Sequence, residues 1–139
     1  MDTGPIVALL DRGDDSHEAC ADLLRSSSER RVIPAPVLGE VAYWCDRLPE
    51  PGVFAAFLDD VRRGAFEIVD LGDADLGRVG EILRTHTGSG PDYVDAAVLA
   101  VGERLGEHKL ATLDRRHFTL MRPRHAPALE LLPEPRTRR

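Results

Sequence analysis

The chain has 139 residues, 42% of them hydrophobic and 30% charged, which suits one compact domain with a single core and leaves little room for a second. Its formal net charge of −6 argues against a broad positive surface that grips nucleic acid indiscriminately. No apolar run approaches the ~20 residues that cross a bilayer, and the N-terminus lacks the basic and apolar regions of a secretory signal, so a cytoplasmic protein is expected.

In chain order, the first acid is Asp2, which reads as the end of a short buried strand running into Thr3-Gly4-Pro5. Only Met1 precedes it, whereas a strand usually needs five or six residues, so a natural start upstream of Met1 is expected. Asp before a proline-started helix is also a good N-cap, and capping and ligation are equally open for this residue. Cys20, Leu23 and Leu24 recur at helical spacing within His17 to Ser28. Arg31 to Pro34 reads as a strand, followed by a helix in which Glu40 stands between Leu38 and Val41. An acid in that apolar setting needs a partner.

Pro49 to Gly52 is a loop, and Val53, Phe54, Phe57, Leu58 and Val61 mark an amphipathic helix. Phe66 to Val69 is a strand, Leu76, Val79 and Leu83 mark a further helix, and Gly88 to Pro91 is a loop. Tyr93 to Leu105 is a helix rich in Ala and Val, closed by Gly106 as a C-cap residue. Asp92 at its start has a capping reading, whereas Asp95, deeper among Val94, Ala96 and Ala97, is the better ligand candidate. Lys109 to Thr112 and Leu129 to Leu132 are the last two strands, with Asp114 just past the first of them. Residues 133–139 read as a disordered basic tail after a single domain over 1–132.

Short apolar strands alternating with helices imply a parallel α/β sheet covered on both faces, which binds ligands beyond the strands' carboxyl ends. Asp2, Glu40, Asp95 and Asp114 would meet at that edge, with Asp92 beside Asp95 on one helical face. Clustered carboxylates raise one another's pKa unless a cation neutralises them, and an all-oxygen set suits Mg²⁺. Such an ion activates water and neutralises charge at a phosphodiester. Residues 1–103 hold 9 Lys and Arg against 20 Asp and Glu, and residues 104–139 hold 9 against 4, so an acidic centre can lie beside a basic rim. Cys20 and Cys45 lack CxxC spacing and are expected to be buried free thiols.

Four blocks together carry a family likeness: Asp2-Thr3-Gly4-Pro5-Ile6-Val7-Ala8-Leu9-Leu10-Asp11, Pro34-Ala35-Pro36-Val37-Leu38-Gly39-Glu40-Val41-Ala42, Asp92-Tyr93-Val94-Asp95-Ala96-Ala97-Val98-Leu99-Ala100 and Ala111-Thr112-Leu113-Asp114-Arg115-Arg116-His117-Phe118. In this order and spacing they resemble the PIN-domain family, most of all its VapC-type toxins, over Asp2 to Leu132. The resemblance implies a three-layer α/β/α sandwich with a roughly five-stranded parallel sheet. It implies a Mg²⁺- or Mn²⁺-dependent endoribonuclease held in check by a VapB-type antitoxin, and a homodimer, here through the helix carrying Phe54 and Phe57. Carried over residue by residue, Asp2, Glu40, Asp95 and Asp114 match the acidic quartet and Asp92 the additional acid. Thr3 and Thr112 match hydroxyl positions that orient a carboxylate.

Arg115 and Arg116 are candidate phosphate contacts, with surface ion pairs as the equal alternative. His117 beside Phe118 reads as packing or capping, and Tyr43 and Trp44 as core or interface residues rather than a base-stacking pair. The expected chemistry is hydrolysis by metal-activated water, leaving 5′-phosphate and 3′-hydroxyl ends. A catalytically inactive PIN-like module that binds antitoxin or RNA is the alternative. A phosphatase using Asp2 as nucleophile is the weaker one, since no second acid follows two residues later.

Overall fold

Asp92 opens and Gly106 closes the helix around which the rest is built, in a computed structural model that describes residues 1–88 and 90–136. Ser89 of the expected Gly88–Pro91 loop and residues 137–139 of the expected tail lie outside the described residues. The elements in order are α1 (Thr3–Leu10), α2 (His17–Ser26), β1 (Val32–Pro34), α3 (Ala35–Cys45), α4 (Val53–Arg62), β2 (Glu67–Val69), α5 (Asp73–Thr85), α6 (Tyr93–Leu105), β3 (Lys109–Ala111), α7 (Arg115–Leu120) and β4 (Glu130–Leu132).

Helix α6 is buried without interruption from Val94 to Val101. A helix apolar all round belongs in the interior, and its Ala residues let neighbouring elements approach closely. A capping box starts it: Asp92 accepts from the Asp95 N–H at 3.0 Å, and Asp95 accepts from the Asp92 N–H at 3.1 Å. Gly106 ends it in the left-handed conformation, φ 68°, where an L side chain would be strained. Ile6, Ile33, Val37, Val41, Phe57 and Leu99 pack into the same core.

The strands are short. β1 pairs in parallel with β2 (Val32 opposite Glu67, Pro34 opposite Val69), and β3 with β4 (Lys109 opposite Glu130, Ala111 opposite Leu132). Four of the five expected strands therefore form, as two two-stranded sheets among the described residues rather than one sheet of five. The expected strand before Asp2 is absent because a ladder needs consecutive extended residues, and Thr3 is already helical. Met1 and Asp2 nevertheless lie between the two pairs. The Met1 amine donates to the Val32 carbonyl at 2.6 Å, and the Asp2 N–H donates to the Ala111 carbonyl at 2.9 Å.

Asp2 enters α1 directly, the helix start that Pro5 allows, and the segment after Asp114, to which the sequence assigns no element, forms the short helix α7. Phe57 of α4 belongs to the core, stacked near Phe66 with ring centroids 5.4 Å apart, so the face it shares with Phe54 is turned inward. Cys20 and Cys45 are buried free thiols, and burial raises the pKa of each. Among the described residues no helix is long and apolar enough to cross a membrane.

Candidate metal centre

Each acid reaches the site through a local turn of backbone that follows from its sequence. Pro34 ends β1 and leads straight into α3, which places Glu40 on the helix's second turn. Asp92 and Asp95 are fixed by their mutual capping box. Asp114 caps α7, accepting from the His117 N–H at 3.1 Å. Asp2 occupies the N-cap position of α1, yet its side chain makes no cap hydrogen bond. It accepts instead from the Thr112 hydroxyl at 2.8 Å, 110 residues away in sequence. The capping reading of Asp2 therefore does not hold for its carboxylate.

All five acids line one cavity of about 680 Å³, together with Thr3, Gly4, Val7, Asp14, Trp44 and the segment from Leu113 to His117. The two hydroxyls act as expected for orienting groups. Thr3 donates to Glu40 Oε1 at 2.7 Å. Thr112 holds Asp2 with its proton while accepting the Asp114 N–H at 3.0 Å, so one hydroxyl ties together two acids from distant segments. Gly4 lets this happen: a Cβ there would lie 3.2 Å from the Leu113 Cβ, tighter than ordinary contact.

Asp2 is 5% exposed and Asp95 8%, and no Lys or Arg pairs with any of the five acids among the described residues. Burial pushes the Asp2 carboxyl above its usual range, partly offset by the Thr112 hydroxyl. Asp95 is pushed up to about 6, first by burial and then by the nearby charges of Asp92 and Asp2, against the hydrogen bond from the Asp92 backbone. Among the described residues the basic side chain in direct contact with these acids is an imidazole. His117 presents Nδ1 to Asp95 Oδ2 at 2.9 Å and to Asp114 Oδ2 at 2.8 Å. These three side chains offer ligand atoms within 4.8 Å of one another.

This donor set fits a divalent cation. Carboxylates from four segments converge, two of them are costly to ionise without a counter-charge, and an imidazole nitrogen already sits where positive charge is favoured. Three lining residues depart from the sequence expectations. Trp44 lines the cavity instead of the core, and His117, expected to pack or cap beside Phe118, contacts two carboxylates, its i, i+3 spacing from Asp114 being the available signal. Asp14 lies in an acid-rich turn that carried no distinguishing pattern. The two arginines separate. Arg115 Nη2 donates to the Leu131 and Pro133 carbonyls at 2.9 and 2.6 Å, a role in tying the chain end to α7 that the sequence reading did not anticipate. Arg116 is exposed at the cavity rim, with no ion pair recorded among the described residues.

Comparison with known proteins bears on the family and the fold. Ribonuclease VapC26 of Mycobacterium tuberculosis is 27% identical over 123 residues, covering 88% of this chain and 91% of that protein. Among solved structures, Mycobacterium tuberculosis VapC20, described as a sarcin-ricin loop cleaving toxin, superposes with a TM-score of 0.69 at 23% identity, covering 78% of this chain and 83% of that one. VapBC2 from Rickettsia felis, bound to a DNA fragment from its promoter, gives a TM-score of 0.63 at 20% identity and covers 94% and 93%. The family profile described as PIN domain matches residues 1–122, most of the chain, and the protein belongs to that family.

Proposed function

We propose that the chain is a Mg²⁺-dependent endoribonuclease and the toxin of a VapBC-type toxin–antitoxin pair. The observation that carries this reading is the pairing of burial with missing ion-pair partners: Asp2 and Asp95 are buried in one cavity with Glu40 and Asp114, and among the described residues no Lys or Arg forms an ion pair with them. The names of the relatives, a ribonuclease and an RNA-loop-cleaving toxin, support the same substrate class.

Asp2, Glu40, Asp95 and Asp114 would hold Mg²⁺, or Mn²⁺ in its place, with Asp92 as auxiliary acid. A bound cation supplies Lewis-acid activation of the attacking water and neutralises charge on the phosphate. The chain's own residues do the orienting. Thr3 fixes Glu40, Thr112 fixes Asp2, and the capping box holds Asp95 in register with Asp92. Arg116 reaches toward a phosphate at the rim, and Arg115 ties Leu131 and Pro133 to α7. In-line hydrolysis leaves 5′-phosphate and 3′-hydroxyl ends.

On this reading the two strand pairs are halves of one five-stranded sheet in a three-layer sandwich, with Met1 and Asp2 standing in its middle row. Residues 1–132 form the nuclease domain and 133–139 a basic tail, and the protein works in the cytoplasm as a homodimer. A VapB-type antitoxin inhibits it by sending a basic side chain into the acidic cavity. The test is cleavage of single-stranded RNA by the purified chain with Mg²⁺, with Mn²⁺ and with chelator, followed by mapping of the ends. Cleavage restricted to the metal-containing reactions is expected. Cleavage that persists in chelator, or a folded protein inert with both ions, would overturn the proposal.

A further inference from the structure

Trp44 and Tyr43 are the largest aromatic surface left open on the molecule, and the acid chemistry above does not use them. Trp44 is 49% exposed and Tyr43 51%, so neither is a core residue. Trp44 lies one helical turn beyond Glu40 on α3, a spacing that brings Cβ atoms within about 5–6 Å, and its indole lines the same cavity as the acids. Its orientation is braced. The Tyr43 and Trp44 rings meet edge to face, with centroids 5.3 Å apart and planes at 88°. The Arg47 guanidinium covers the Tyr43 ring at 3.4 Å from its centroid and is itself anchored by a 2.7 Å bond to the Tyr43 carbonyl. Arg47 thus holds Tyr43, and Tyr43 props the indole.

We propose that Trp44 is a base-stacking platform for the RNA substrate, receiving the unpaired base next to the phosphate held at the acids. The inference rests on the nuclease reading and adds to it the requirement for an unstacked, single-stranded base. An indole within one turn of a candidate phosphate site suits a nucleotide better than an apolar peptide, because one end of the ligand must be anionic and the other flat and aromatic. Exposed Arg116, which lines the same cavity, supplies positive charge there. Stacking is tolerant of base identity, so this contact selects for strand state rather than for sequence.

Trp44 is the only tryptophan in the chain, which makes it a direct reporter. The Asp95→Asn protein is titrated, in buffer containing Mg²⁺, with a single-stranded RNA oligonucleotide, with its duplex, and with an abasic strand of equal length and charge. Binding is followed by the anisotropy of a labelled strand in parallel with indole emission. Saturable quenching by the single strand, weak or absent with the other two, is expected. In the same assay Trp44→Ala weakens binding roughly tenfold, the loss of one stacked base, while Trp44→Phe keeps most of the affinity. In the otherwise unaltered enzyme, Trp44→Ala raises KM for single-stranded RNA by a similar factor and leaves kcat within about twofold.

Anisotropy that saturates while indole emission stays flat, or full affinity in Trp44→Ala, overturns the platform and leaves the nuclease intact. Loss of self-association in Trp44→Ala, with RNA affinity unchanged, overturns it in favour of a protein contact. Indole quenching in a protein that cleaves nothing with either metal sinks the nuclease reading while preserving the platform. No RNA binding by any probe ends both.

Discussion

Two aspartates occupy the same place in two neighbouring helices and meet opposite fates. Asp75 is the third residue of α5 and Asp95 the third residue of α6, and each accepts from the backbone N–H three residues earlier, at 2.8 and 3.1 Å. Both are buried, at 3% and 8% exposure. Asp75 is answered by Arg104, whose Nε lies 3.0 Å away and whose Nη2 also donates to the Asp70 carbonyl. Asp95 faces Asp92, Asp2 and Asp114, and among the described residues its basic contact is His117 rather than a Lys or Arg. Burial of an acid is therefore no functional signal by itself. Burial among other acids with no Lys or Arg partner is, because that charge is left for a ligand to balance.

Substitution by asparagine separates the two most sharply, since it removes charge at nearly constant size. Asp95→Asn is expected to lower metal-dependent RNA cleavage on the order of 100-fold or more while leaving thermal stability equal or higher. Asp75→Asn should keep cleavage and lose roughly 1–3 kcal/mol of stability in urea titration, because Arg104 and the cap are left partly unanswered. Stability loss in the first and activity loss in the second would erase the contrast. Divalent cation should discriminate next. Mg²⁺ or Mn²⁺ at about 100 times its Kd would stabilise the chain by about 2.7 kcal/mol, and would do so equally for Asp75→Asn but not for Asp95→Asn. Differential scanning calorimetry reads this as a shift in Tm.

The pH dependence without metal follows with a definite sign. Asp95 has a folded pKa of about 6, above its ordinary value of 3.8, so the folded state holds the proton more tightly than the unfolded one. Its contribution is intact below about pH 4 and is lost as pH rises through 6, by up to about 2–3 kcal/mol at one pKa unit per 1.36 kcal/mol. Urea midpoints from pH 4 to 7 should show this decline in the metal-free protein and a flatter curve in Asp95→Asn; parallel curves would remove Asp95 as its source.

Smaller effects test the supports. Thr112→Val removes the bond to Asp2 and the acceptor for Asp114 N–H, and should cost about 10-fold or more in cleavage rate with only about 1 kcal/mol in stability. Gly4→Ala, with its Cβ against Leu113, should cost less than about 1 kcal/mol and a few-fold in activity, measured by the same two assays.

The contrast between Asp75 and Asp95 also explains what could be read from the sequence. Glu40 and Asp95 stood out because each interrupts an apolar stretch, and Asp2 and Asp114 because each closes one. Helices α2, α4, α5 and α6 were legible from periodicity, since each buries one face or all of itself. Helix α7 was not, because six residues beginning Arg-Arg-His carry too little apolar pattern to reveal a helix. The missing first ladder had a local cause in Thr3, already helical one residue after the acid. Partner choice was the least legible quantity: nothing in the sequence says that Arg104 meets Asp75 or that His117 spans two carboxylates, since those pairs form only when α5, α6 and α7 pack together.

The backbone is thinnest where the chemistry is most concentrated. Each strand pair is secured by a register of three residues, but the join between the pairs runs through single hydrogen bonds, from the Met1 amine to Val32 and from the Asp2 N–H to Ala111. Fraying at any other strand end is a peripheral event. Here, slack at one peptide swings the Asp2 carboxylate away from Thr112 and out of line with the three other acids of the cavity. Anything that braces that joint, from an inhibitor lying across it to a cation drawn in from above, steadies the fold and arms or disarms the site in the same act.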